Sequence, residues 1–169
     1  MKALHGISFF ALASVAFAGQ MAFGQATNPS RIHQLKSLKV AKVLAAGHTL
    51  DVWVMDTEAK NEEGMMFLTD KEVKSNQGMI FLFSAVQPAD RNHSFWMHNT
   101  LIPLDIIYIS QAKKVVSIAE GKVQDDTALP ASAPYFYVIE LKQGTAKKLG
   151  IKPGAKFDIP GSLKWVDGN

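Results

Sequence analysis

The chain has 169 residues, 47% of them hydrophobic, with 18 Lys and Arg against 15 Asp and Glu and no cysteine. That charge balance gives no concentrated basic face of the kind nucleic acid requires. The missing cysteines exclude disulfides, thiolate nucleophiles, zinc ribbons and iron-sulfur clusters, so the fold must stand on its apolar core, and the length suits one domain.

Residues 1–26, MKALHGISFFALASVAFAGQMAFGQA, read as a secretory signal peptide. Lys2 supplies the charged start, Ile7 opens a short apolar run, and small residues stand in pairs at Ala16/Ala18 and Gly24/Ala26. A membrane anchor is the competing reading, but a span needs about 20 apolar residues, and Gly19 and Gln20 interrupt this run. Cleavage after Ala26 is preferred to cleavage after Ala18, because an ordinary polar stretch begins at Thr27. The expected product is periplasmic or secreted and has no stable membrane span. Cleavage removes Lys2 and no acid, so the mature chain is nearly neutral.

Residues 27–38 carry Asn28, Pro29 and Ser30 and are predicted to be an N-terminal linker to a single β-rich domain over 39–169. LKVAKVLAAGHTLDVWVM contains two extended runs split by Ala46, Gly47 and His48, a hairpin. Asp56 and Thr57 then open a two-turn helix, EAKNEE, that Gly64 stops. MMFL is read as extended chain. GMIFLF is apolar on both faces, and its length and β-branched and aromatic content favour a strand buried on both sides.

LDIIYIS, a turn at QAKK and VVSIAEG form a second hairpin. A loop over 122–134 leads to the strand YFYVIEL, and KQGTAKKLGIKPG is a short helix that Gly150 closes. KFDI and LKWV are read as short final strands. The sum is a mainly β barrel or sandwich of about seven to nine short strands with two short helices.

HSFWMHNTLIPLD, from His93 to Asp105, concentrates the residues that could carry chemistry. Read as a strand, it places His93 and Met97 on one face and His98 on the other, so the histidines diverge and no metal site is expected. No Ser lies in a nucleophile elbow. The acid pairs Glu62/Glu63 and Asp125/Asp126 are adjacent residues, which seldom converge across a cleft. Gly64 and Gly78 stand alone and mark turns or close backbone packing. Asp105 is the open question. An acid opening an apolar strand is costly unless partnered, so it either accepts hydrogen bonds inside the fold or faces a ligand.

EEGMMFLTD, NQGMIFLFS, HSFWMHNTLIPLDIIYIS and YVIELKQGTAKKLGIKPG occur in the order and near the spacing of the domain of unknown function 192 family, which this chain resembles over about 39–159. The resemblance implies a compact, mostly β fold with two short helices and brings no activity with it. The family often carries Arg before and after its G-L-M-F-like block, where this chain has Asn61 or Glu62 and Leu68. It often has Lys at the position of His98, which weakens His98 as a metal ligand.

The functional expectation is a non-enzymatic binding module for a small molecule, sugar or peptide in the cell envelope. Its candidate pocket consists of Phe95, Trp96, Met97, Asn99, Thr100 and Asp105 beside Met66, Phe67 and Met79. No cofactor and no nucleic-acid partner are expected. Two alternatives stand beside it: an envelope hydrolase using Asp105 with His93 or His98, and a purely structural signature in which Asp105 holds a turn.

Overall fold

The structure, a computed structural model, describes residues 27–167. The expected signal peptide lies outside the described residues. Seven strands are formed among those described: β1 (Val40–Ala45), β2 (His48–Met55), β3 (Gln77–Gln87), β4 (Leu104–Ile109), β5 (Val115–Gly121), β6 (Tyr135–Lys142) and β7 (Phe157–Asp158). They make one sheet in the order β5-β4-β6-β3-β2-β1-β7. All pairings are antiparallel except β2 with β3. The sheet curls until its edges meet: Lys114 bridges Lys156, and the amide of Val115 donates to Ala155 O at 2.9 Å.

Curling sorts the strand residues onto two buried faces. Val43, Val52, Ile80, Ile107, Val115, Ile139 and Phe157, from all seven strands, form one cluster, the interior of the half-barrel. The alternate residues Trp53, Met55, Met79, Phe81, Ile106, Tyr108 and Val138 form a second core on the opposite face. This is why GMIFLF and LDIIYI are apolar at nearly every position: such strands bury both faces. Gly78 permits the close approach of β3 to β6, since a Cβ there would lie 2.4 Å from Glu140 O.

The local chemistry explains the connections. Ala46 (φ 49°) and Gly47 (φ 80°) form the two-residue turn of the first hairpin, where both positions need positive φ. Helix α1 (Glu58–Glu63) starts where the Thr57 hydroxyl accepts from the Lys60 amide and ends at Gly64 (φ 42°). Helix α2 (Thr145–Lys148) packs Ala146 into the half-barrel. No helix among the described residues is long and apolar enough to cross a membrane.

Three segments whose pattern predicts extended chain adopt other forms. Residues 64–67 are turns, with Phe67 at φ +62°. HSFWM contributes a single bridge, Phe95 to Leu129, preceded by a 3-10 turn (Arg91–His93) that Asp90 caps through the amides of Asn92 and His93. LKWV is irregular. The polar pattern of residues 27–38 predicts a linker, yet they lie packed on the second core with Leu35 and Leu38 buried. The anchor is polar and long-range, so local pattern does not show it: Arg31 is 5% exposed.

Candidate functional site

The docked N-terminal arm builds one wall of a cleft of about 530 Å³. Ser30, Ile32 and His33 line it from the arm, Ala59, Glu62 and Glu63 from α1, and Met66, Phe67, Trp96, His98 and Asn99 from the body. Arg31 holds the arm down. Its guanidinium donates to the carbonyls of Gly64 (2.9 Å) and Met66 and reaches Glu63 at 3.4 Å. Burial lowers the Arg31 pKa from its ordinary value, while the carboxylates of Glu63, Glu72 and Glu140 oppose that shift.

Glu63 is the matching anchor on the body. It accepts the amides of Ile32 at 2.6 Å and His33 at 2.9 Å, and the His33 Nδ1 lies 2.9 Å from its Oε2. The carboxylate is 8% exposed and fully engaged, which offsets the cost of burying it.

Opposite the arm stands Trp96, 49% exposed and stacked on His98 with centroids 5.0 Å apart and planes 24° from parallel. His98 is fixed in turn by Asp126, 2.9 Å from its Nδ1. The floor between is conformationally unusual. Phe67 (φ 62°) and Asn99 (φ 52°) both adopt the left-handed region, and the Phe67 amide donates to Asn99 O at 2.9 Å. For a bulky aromatic residue this conformation is an outlier that its surroundings must enforce. Asn28 from the arm completes the enforcement by donating to Phe67 O at 2.9 Å.

Of the nine residues expected to form a pocket, Met66, Phe67, Trp96 and Asn99 meet in this cleft. Met79 and Met97 are sealed in the second core at 0% exposure, and Phe95 packs edge-on against Phe81 and Tyr108. Thr100 is buried, with its hydroxyl bonded to His98 O at 3.2 Å. Asp105 is 4% exposed and faces away from the cleft. Its two oxygens accept the amides of Gly144 at 3.1 Å and Ala146 at 2.8 Å, so it caps α2 from 39 and 41 residues away.

The hydrolase alternative couples Asp105 to His93 or His98. His93 instead pairs with Asp90 at 2.8 Å and His98 with Asp126. Both oxygens of Asp105 are engaged by backbone amides, and neither is directed at a histidine. The cleft residues that sequence reasoning misses, Ser30, Ile32, His33 and Glu63, come from a polar stretch without periodicity and from a helix that reads as solvated. The lone apolar Ile32 between Arg31 and His33 is the one local signal. Among the described residues, no group of three or more His, Cys, Asp or Glu side chains could hold a metal ion.

A third buried acid lies near Gly64, at the end of α1. Glu140 is 4% exposed, paired in the sheet with Met79 and Ile106, and its Oε2 has no hydrogen-bond partner among the described residues. Burial pushes its carboxyl up to about 8, against the opposing effects of the Met65 amide and Arg31.

Comparison with known proteins places this architecture. The family model DUF192 (Uncharacterized ACR) matches residues 41–159. The chain belongs to the DUF192 family. Its β1 through the end of β7 fall within the match to DUF192, apart from the first residue of β1, while the arm that walls the cleft precedes it. The chain is similar to a protein of unknown function from Novosphingobium aromaticivorans DSM 12444, with 34% identity, a TM-score of 0.64, and coverage of 82% of this chain and 94% of that one. It is also similar to a proposed transcription regulator from Sinorhizobium meliloti 1021, with 27% identity, a TM-score of 0.62, and coverage of 72% and 94%. No curated protein matches.

Proposed function

We propose that this DUF192 protein is a non-enzymatic binding module for a small ligand, working outside the cytoplasm, and that the cleft between the arm and Trp96 is its site. The observation that carries the reading is a half-exposed Trp96 over a floor where Phe67 is held in the left-handed region beside Asn99. Exposing a large aromatic face to water and holding Phe67 in a left-handed conformation are both unfavourable, and a purely structural turn requires neither. The cleft has apolar walls with a few polar groups, the usual composition of a small-molecule site. Export is supported by the pattern of residues 1–26.

The neutral fluorophore N-phenyl-1-naphthylamine, which brightens on leaving water, tests the site. Wild type is expected to enhance its emission and Trp96→Ala to bind it roughly tenfold more weakly, the scale of losing an aromatic anchor. Trp96 is exposed enough for the variant to keep its fold. No enhancement with wild type, or equal binding by Trp96→Ala, would overturn the assignment.

A further inference from the structure

Three of the polar groups around the cleft, His33, His98 and Glu62, present hydrogen-bond acceptors, while Ser30 and Asn99 can donate as well as accept. A carboxylate can only accept, so in the neutral form of His33 the Nδ1, 2.9 Å from Glu63, carries the proton and the Nε2 presents a lone pair. The same holds for the neutral form of His98, whose Nδ1 lies 2.9 Å from Asp126. In that form each imidazole offers an acceptor nitrogen not used by its carboxylate. Glu62, on α1 at the rim, adds a carboxylate.

The charges nearby leave this acceptor set uncompensated. Arg31 is buried, with its guanidinium engaged by two carbonyls and Glu63. Lys60, the lysine of α1, reaches Asp56 at 2.6 Å. Glu62 makes no ion pair among those formed by the described residues. Beside these acceptors lies the half-exposed face of Trp96, whose π system attracts cations, and the apolar surfaces of Ile32, Met66 and Phe67.

We infer that the cleft recognises an organic cation, a guanidinium or primary ammonium on an apolar stem, with its N–H groups shared among His33, His98 and Glu62 and its charge over Trp96. The inference rests on the binding-module reading and specifies its ligand. An anion would meet Glu62 and two lone pairs. A purely apolar ligand would gain nothing from the imidazole acceptors or from Glu62.

Butylguanidinium and its uncharged isostere N-butylurea separate charge from shape. The readout is the indole N–H resonance of Trp96 in the full mature chain, assigned by its loss in Trp96→Ala. Butylguanidinium is expected to shift this resonance saturably and to bind about tenfold more tightly than N-butylurea, from the combined cation–π and ion-pair contributions. Glu62→Gln, at the rim, is expected to reduce that preference roughly threefold.

Equal binding of the two isosteres, or a preference unchanged by Glu62→Gln, overturns the cationic assignment. If butylguanidinium leaves the Trp96 resonance unmoved while the fluorophore still binds in a Trp96-dependent way, the cleft stands and the ligand class falls. If the fluorophore shows no enhancement with wild type, the binding-module reading falls, and the cation inference that rests on it falls with it.

Discussion

Replacing Glu140 by glutamine should reverse the sign of its stability difference from wild type within the pH range of an ordinary denaturation experiment. The carboxyl is buried, and burial raises it from 4.5 to about 8. In the unfolded chain it titrates near the ordinary value, so between these two pH values the folded state holds a proton that the unfolded state has lost. Stability contributed by Glu140 is therefore fully present below pH 4.5 and is lost as pH rises through about 8, at about 1.4 kcal/mol per pH unit. At pH 7 the accumulated penalty is roughly 3 kcal/mol.

A glutamine at this position would carry no such penalty and keeps an acceptor for the Met65 amide, but it buries an amide NH2 without a partner, costing about 1–2 kcal/mol. Glu140→Gln is thus expected to be less stable than wild type near pH 4.5 by about 1–2 kcal/mol and more stable at pH 7 by a similar amount. The curves should cross near about pH 6. Urea unfolding followed by tryptophan fluorescence at a series of pH values measures this through the midpoint at constant slope. Parallel pH profiles for the two proteins would refute the reasoning, because they would mean that Glu140 is ionised in the fold and paired with Arg31.

Two further predictions concern backbone constraints. Asp105→Ala removes both acceptors of the Gly144 and Ala146 amides and is expected to cost about 3 kcal/mol, with Asp105→Asn losing about half as much because one acceptor remains. Calorimetric melting should show that order, and the fluorophore affinity of the folded variants should be unchanged, since Asp105 lies outside the cleft. Gly78→Ala places a methyl group 2.4 Å from Glu140 O and 2.5 Å from a Leu141 methyl. It should destabilise by about 3 kcal/mol or more, and a melting temperature equal to wild type would show that β3 and β6 separate freely.

The fold was legible where local chemistry decides it. The hairpin at Ala46 and Gly47, the cap at Thr57, the stop at Gly64 and the continuous apolar runs of β3 and β4 are each visible within a few residues. Runs such as MMFL and HSFWM read as extended chain, yet they are apolar because they cover the second core, not because they pair. Asp105 shows the limit most clearly. The sequence identifies an acid that must find partners, but those partners are backbone amides 39 and 41 residues downstream, and amides carry no sequence signature. The cleft was half legible for the same reason. Met66, Phe67, Trp96 and Asn99 stand in motif-like blocks, whereas Arg31 and His33 reach the site through a contact of 30 residues or more with Glu63.

The arm also fixes an order of events. Residues 27–34 leave the ribosome before any strand exists, yet the groups that hold them, Glu63, Gly64, Met66 and Phe67, lie in the connection between β2 and β3. The first stretch of this domain to be made thus depends for its seating on groups made later, so the arm wall of the cleft forms only where that connection is already folded.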